Sequence, residues 1–201
     1  MWKLISLILS LAPQIAQAGA QIYELMSAST RTVLQKAVSD QAISHFITLS
    51  TADSKIWLVT MSERLKRHMP NQSEREAFLT TVHYEATRAG LDPQLALSLI
   101  QVESGFRKYA ISTAGARGYM QVMPFWVDTI GSKEHNLFHL RVNLRYGCTI
   151  LRHYLDIEKG DYFRALGRYN GSLGQARYPQ QVFSAWRKYW HYPVNQEMAQ
   201  N

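Results

Sequence analysis

One glutamate of this chain has surroundings that suit proton transfer. Glu103 ends an apolar segment, and Gly105 follows two residues later as a helix stop. Leu95, Leu99 and Val102 precede it at helical spacing. A carboxyl group against apolar side chains, at the negative end of a helix dipole, resists ionisation and keeps its proton near neutral pH. The pattern predicts a general acid. It also fits an exposed glutamate at a frayed helix end, and spacing alone does not separate the two.

The elements that must position Glu103 are predicted to be helices. Asp92 and Pro93 are suited to begin the Glu103 helix, as its N-cap and first residue. Residues 21–69 are compatible with helix, and a helix opening at Asn71 or Ser73 follows. Others are predicted as a short piece at 120–123, a turn of helix from Pro124 to Gly131, a stripe from Leu137 to Leu155, Asp161 to Tyr169, and a last one from Pro179. Since no segment has a strand pattern, the predicted fold class is all-α.

Three short motifs follow one another along the chain: Glu103-Ser104-Gly105-Phe106, the segment from Gly115 to Pro124, and Arg168-Tyr169-Asn170-Gly171. In order and spacing they resemble the catalytic domain of the soluble lytic transglycosylases, over about residues 80–190. The resemblance implies an all-α, lysozyme-like domain of the goose-type lysozyme and transglycosylase group. It also implies an enzyme that cleaves the glycan strands of peptidoglycan.

The resemblance assigns the chemistry to the first and third motifs. Glu103 matches the family's single catalytic acid and base, and Ser104 matches a serine that helps to orient it. Tyr169 matches a tyrosine whose hydroxyl lies near the acid, and Asn170 an asparagine that supports the saccharide site. Tyr169 equally fits a core tyrosine near a helix end, and the Asn170 amide also suits a backbone cap.

The middle motif is expected to line the sugar-binding groove through Tyr119, Met120 and Gln121. The Gln121 amide could also cap backbone groups. Two departures from the family pattern are Tyr119, where Leu is usual, and Gly171-Ser172, where Ala-Gly is usual; neither removes a reactive group. Two further family positions, on the helix between the motifs, have a more structural role: Asn143 and Gly147.

The acidic residues of the motifs limit the mechanism. Most glycosidases use two carboxylates, but the three motifs contain only Glu103, and the nearest downstream acids, Asp128 and Glu134, match no motif. One carboxyl group suffices if the substrate supplies the nucleophiles. Glu103 then donates its proton to the glycosidic oxygen and later takes one from the C6 hydroxyl of the same sugar, which closes an anhydro ring. No cofactor and no metal is expected.

Composition and the N-terminus predict an exported protein. Residues 4–12 are apolar and Ala16-Gln17-Ala18 fits a signal-peptidase site, so residues 1–18 are predicted to be a cleavable signal peptide and the protein to be periplasmic, without a transmembrane anchor after cleavage. The net charge of +7 suits an acidic polymer or anionic membrane surface rather than nucleic acid. The predicted division continues with a helical extension at 19–55, a catalytic domain at 56–192 and a tail at 193–201.

Several alternatives remain at the level of sequence. Cys148 with a histidine could form a thiol nucleophile, but its place in an apolar stripe favours a buried structural residue. His135 and His139 have a spacing that can bind metal, although no further ligand pattern accompanies them. A hydrolytic muramidase of the same fold and a noncatalytic peptidoglycan-binding protein are the functional rivals. The amphipathic extension favours packing on the domain over docking of a cell-envelope machine.

Overall fold

The computed structural model describes residues 21–39 and 51–192, and every regular element in these ranges is helical. The helices are α1 (Ala28–Val38), α2 (Thr51–Leu65), α3 (Gln72–Arg88), α4 (Pro93–Ser104), α5 (Phe125–Ile130), α6 (Leu140–Ile157), α7 (Tyr162–Asn170) and α8 (Arg177–Ala185), followed by a π-helix (Trp186–Trp190). Extended pairing in this part of the chain is limited to two isolated bridges in the loop after α4. The predicted all-α class is confirmed.

Most helix boundaries lie where the capping residues predict them. The side chains of Asn71, Asp92 and Asp161 accept hydrogen bonds from backbone amides two or three residues further on, at 2.7–3.0 Å. Gly105 and Gly171 end α4 and α7 with φ of 57° and 73°, a conformation that glycine adopts without steric cost. These caps fix both ends of α4 and α7, the helices that carry Glu103 and Tyr169.

Other boundaries differ from the prediction. The piece at 120–123 is a turn and no helix, since Gln121 has a φ of 49° and Arg117 exchanges two backbone hydrogen bonds with Val122. Residues 21–27 form no helix; Ser27 is the N-cap of α1, and its side chain accepts from the Thr30 amide at 3.1 Å. The last helix begins two residues before Pro179, and α6 begins after the predicted stripe does.

The helix that carries Glu103, α4, lies among several packed helices. It packs against α3, α8 and the π-helix, while α6 packs against α1, α3 and α7. Leu97, Leu99 and Ile100 of α4 are completely buried, as expected for a helix that is apolar around most of its circumference. A helix held on several sides keeps its C-terminal residues, including Glu103, in a fixed position.

The predicted divisions of the chain are only partly within the described residues. The predicted boundary at residue 55 falls inside α2, which begins at Thr51, and α1 of the extension packs against α5 and α6. The predicted signal peptide (1–18) and tail (193–201) lie outside the described residues. In the described ranges, no helix is long and apolar enough to cross a membrane.

Candidate active site

Glu103 is placed in the apolar interior at the end of α4. It lies two residues before Gly105, whose backbone has the left-handed conformation, and only 7% of Glu103 is exposed. Burial raises the pKa of the Glu103 carboxyl to about 8, because the charged form loses its hydration. The predicted surroundings are thus present, and the alternative of an exposed, frayed glutamate is wrong.

A tyrosine that the sequence reasoning missed is the hydrogen-bond partner of Glu103. The Tyr178 hydroxyl donates to Glu103 Oε1, and this bond lowers the pKa of the carboxyl by less than burial raises it. Tyr178 lies in the first turn of α8 and is itself buried. The sequence predicts a last helix that starts at Pro179, which leaves Tyr178 outside it, whereas α8 starts at Arg177. The available signal was a large aromatic residue next to a helix-starting proline.

Tyr169 lies in the same buried region but makes a different hydrogen bond. Its hydroxyl donates to the Met120 carbonyl at 2.7 Å, which ties the third motif to the second. Burial holds the pKa of Tyr169 well above its ordinary value, and the charge of Glu103 raises it further. Tyr169 is therefore close enough to Glu103 for electrostatic coupling, while the hydroxyl that contacts the carboxyl group belongs to Tyr178.

Asn143 holds the middle motif in its turn. Its Oδ1 accepts from the Met120 amide at 2.8 Å, and its Nδ2 donates to the carbonyls of Arg117 and Leu137 at 2.8 and 2.9 Å. One fully buried side chain thus satisfies two backbone groups of the middle motif and one of the segment just before α6.

Two glycines allow this loop to approach α6. A Cβ on Gly118 would lie 2.5 Å from the Asn143 side chain, and a Cβ on Gly147 would lie 2.3 Å from Met120 Sδ. Any larger residue at either position would separate the loop from α6. These contacts agree with the structural role expected for Asn143 and Gly147.

The three residues of the middle motif that were predicted to line the groove are buried. Tyr119 is 3% exposed and its ring packs against Phe78, with 4.9 Å between centroids. Met120 is fully buried. The Gln121 Nε2 donates to the Gly118 carbonyl at 2.8 Å and to the Ala110 carbonyl at 3.1 Å. The Gln121 amide therefore does cap backbone groups, and contact of these three residues with a sugar stays a prediction.

Ser104 and Asn170 differ in how their polar groups are used. The Ser104 hydroxyl donates to the Ile100 carbonyl one helical turn back, at 3.2 Å, and an orienting role toward Glu103 stays a prediction. Asn170 is 6% exposed, and its Nδ2 has no hydrogen-bond partner among the residues that the structure describes. A buried amide donor without a partner is costly in a folded protein, so this group is free to bind a ligand.

The structure gives less support to the two alternative chemistries, a thiol nucleophile at Cys148 and a metal site at His135. Cys148 is buried in α6, and burial raises the pKa of its thiol well above the ordinary value, which opposes formation of a nucleophilic thiolate. His135 Nδ1 is hydrogen-bonded to the Tyr146 hydroxyl at 2.7 Å. In the described ranges, no group of three or more His, Cys, Asp or Glu side chains is arranged to hold a metal ion.

Comparison with known proteins identifies the family. The transglycosylase SLT domain matches residues 80–189, more than half of the chain and all three motifs. The chain is 33% identical over 98 residues to the transglycosylase of Enterobacteria phage PRD1, covering 49% of this chain and 36% of that protein. It is 47% identical over 47 residues to the membrane-bound lytic murein transglycosylase C of Actinobacillus pleuropneumoniae (serotype 5b, strain L20), covering 23% of this chain and 13% of that protein.

The helices and the buried glutamate thus define a lysozyme-like, all-α domain. The chain belongs to the transglycosylase SLT family. It spans little more than a third of the phage relative and about an eighth of the murein transglycosylase.

Proposed function

We propose that this protein is a peptidoglycan lytic transglycosylase that cleaves the β-1,4 bond between N-acetylmuramic acid and N-acetylglucosamine and leaves a 1,6-anhydro end. The observation that carries the proposal is the state of Glu103. Its carboxyl group is buried, has a pKa near 8 and interacts with a single neighbouring hydroxyl group. At neutral pH most molecules therefore hold the proton that the first step requires.

The first step uses this proton. Glu103 donates it to the glycosidic oxygen, and the bond between that oxygen and C1 of the muramic acid breaks. The carbonyl oxygen of the N-acetyl group on the same sugar bonds to C1 as the leaving sugar departs. Glu103 is now a carboxylate, and the Tyr178 hydroxyl stabilises it by donating to Oε1.

The second step returns the proton. The Glu103 carboxylate takes it from the C6 hydroxyl, O6 bonds to C1, and the N-acetyl oxygen leaves C1. The carboxyl group is regenerated and no water enters the product. A site that is 7% exposed suits a reaction from which water must be excluded.

The neighbourhood of Glu103 favours this route over hydrolysis with two carboxylates. Retaining glycosidases place the two carboxyl groups about 5–5.5 Å apart, and inverting ones about 6.5–9.5 Å apart. A carboxylate at such a distance would raise the pKa of Glu103 by repulsion. Among the described residues, burial and Tyr178 are the causes of the shift, with no carboxylate contributing. Asn170, with its unpartnered Nδ2, is our candidate for holding the saccharide.

Product analysis tests the proposal. Purified sacculi are digested with the protein, with Glu103→Gln and with Glu134→Gln, a variant of an exposed acid near the middle motif, and the fragments are analysed by mass spectrometry. We expect 1,6-anhydro ends from the wild type and Glu134→Gln, and none from Glu103→Gln. Hydrated reducing ends would indicate a muramidase. Binding without any product would indicate a glycan-binding protein.

We also propose that the protein acts in the periplasm after removal of residues 1–18. The supporting features are the apolar run at 4–12 and the small residues before position 19. Whether a cell-envelope machine uses the extension is tested by deleting residues 28–38: lost localisation with unchanged stability would support docking, and lost stability would support packing on α5 and α6.

A further inference from the structure

The segment before α1 lies against the motif residues. We call residues 21–27, which have no regular secondary structure, the N-terminal strap. The Gln21 Oε1 accepts from the Met123 amide at 3.2 Å. The Tyr23 ring meets the Phe125 ring edge to face at 5.6 Å. A third side chain, Glu24, pairs with the guanidinium of Arg168 at 2.8 Å. The strap thus contacts the end of the middle motif, the first residue of α5 and the first residue of the third motif.

Gln21 differs from its neighbours in the strap. It is 4% exposed, whereas Ile22, Tyr23 and Leu25 are 58%, 51% and 93% exposed. A polar side chain is buried here while apolar ones face solvent, the reverse of the ordinary preference. Burying an amide costs free energy unless its hydrogen bonds are made. The position of Gln21 therefore calls for a reason other than burial of apolar surface.

The contacts of Gln21 connect it to the acid. Its Oε1 holds the Met123 amide, and within the described ranges its Nε2 forms no hydrogen bond. The Tyr169 hydroxyl in turn donates to the Met120 carbonyl, and Tyr169 is coupled electrostatically to Glu103. Gln21 thus holds the end of the middle motif, and the Met120 carbonyl of the same turn holds the hydroxyl of the tyrosine of the third motif.

We propose that Gln21 is a positioning residue of the active site, which fixes the 120–123 turn, and through this turn the Tyr169 hydroxyl, relative to Glu103 and excludes water from their interface. The inference rests on the proposed function, in which Glu103 is the acid and base. It gives one residue of the strap, Gln21, a role in catalysis, although the family match begins only at residue 80.

Attachment of the strap to the domain does not by itself explain why the polar side chain of Gln21 is buried. The ring contact of Tyr23 and the ion pair of Glu24 already join the strap to α5 and α7. An apolar side chain of similar length would fill the same space without burying an amide. Gln21 supplies what such a side chain lacks: an acceptor for the Met123 amide.

Two substitutions separate positioning from filling of space. Gln21→Met keeps the length of the side chain but removes its hydrogen bonds, and Gln21→Ala also opens space for water. We expect each to lower kcat on solubilised, peptide-free glycan strands by about tenfold, with KM within about twofold, as loss of one buried hydrogen bond in the transition state predicts. Leu25→Ala, a change at an exposed side chain of the same strap, should leave both constants unchanged.

The pH profile gives the second readout. The acid must be protonated, so the rate falls as pH rises past the pKa of Glu103. Water admitted by Gln21→Ala reduces the desolvation that raises this pKa. The alkaline limb should therefore move to lower pH in Gln21→Ala and stay near the wild-type position in Gln21→Met. Circular dichroism and thermal unfolding establish the folded fraction of each variant, and the isosteric Gln21→Met decides if Gln21→Ala does not fold.

A Gln21→Met variant whose kcat and pH profile both equal those of the wild type would overturn the inference. So would the same loss and the same pH shift in Tyr23→Ala, which loosens the strap but keeps the amide. Glu103→Gln is assayed alongside. If the wild type forms no anhydro products, or Glu103→Gln still forms them, the proposed function fails; if both behave as expected and Gln21→Met is unchanged, only the role of Gln21 fails.

Discussion

Two buried glutamates on successive helices have opposite surroundings. Glu85 of α3 is fully buried, and three guanidinium groups surround it: those of Arg145, Arg141 and Arg88 lie 3.0, 3.3 and 3.6 Å from its carboxylate oxygens. Glu103 of α4 is 7% exposed, and its carboxyl group is hydrogen-bonded to a tyrosine. The core of this protein therefore contains one carboxyl group with cationic partners and one without.

The difference assigns the two residues to different tasks. The arginines around Glu85 come from α3 and α6, and two of them reach further: Arg88 donates to the Ala37 carbonyl and Arg145 to the Ser39 carbonyl, at the end of α1. Glu85 thus joins three helices through charge. Among the described residues Glu103 has no cationic partner, so its carboxyl group stays protonated instead of carrying a buried charge. A counter-charge, rather than burial, separates the anchoring carboxylate from the acid.

Removing each carboxylate in turn tests this assignment on activity. Glu103→Gln should lower the rate of glycan cleavage by about 10²–10⁴-fold, the contribution of positioned proton transfer. Glu85→Gln should keep the wild-type rate per folded molecule. Initial rates divided by the folded fraction from circular dichroism give the comparison. An equal loss in both variants would contradict the division of tasks.

The stability of the two variants should show the reverse order. Glu85→Gln leaves buried guanidinium groups without their counter-charge, and we expect the free energy of unfolding to fall by about 3–5 kcal/mol. Urea denaturation measures it. The matched control is Glu63→Gln, which removes an exposed pair with Lys66 and should cost less than about 1 kcal/mol. Similar losses in the two variants would show that the buried cluster does not anchor the helices.

The raised pKa of Glu103 also makes a prediction about pH and stability. Between its ordinary pKa of 4.5 and its folded value of about 8, the folded protein holds a proton that the unfolded chain releases. The free energy of unfolding therefore falls as pH rises through this window. Gln at 103 does not titrate, so Glu103→Gln should gain stability over the wild type by about 3 kcal/mol at pH 7 and little at pH 4.5. Urea unfolding at the two pH values measures this; a constant difference would refute it.

The smallest expected effect concerns the tyrosine partner. Tyr178→Phe removes the hydrogen bond that lowers the pKa of Glu103, so the alkaline limb of the pH–rate profile should move to higher pH. The rate should fall about tenfold, since a hydrogen bond to the carboxylate is lost. Tyr146→Phe is the control, because the hydroxyl of this buried tyrosine is bonded to His135 instead. A shift in both variants would indicate general loosening of the core.

The sequence predicted the parts of the fold that depend on local interactions. Asp92, Asp161 and the glycines after α4 and α7 mark helix ends because each cap is completed within a few residues. The burial of Glu103 was also predictable, since the apolar positions before it share one helical face. The turn at 120–123 was predicted wrongly because Asn143, far along the chain, supplies its hydrogen bonds.

By itself, the sequence determined the helical class, the caps, the order of the three motifs and the carboxyl group at the end of an apolar helix. The tertiary structure decided which groups surround that carboxyl: Tyr178, 75 residues away, hydrogen-bonds to it. It also brought Gln21, from the other end of the chain, to the Met123 amide at the end of the middle motif. It also decided that Glu85 meets arginines and Glu103 does not. Electrostatic surroundings depend on distances of a few ångströms between residues that are remote in sequence, and only the packing of the helices sets those distances.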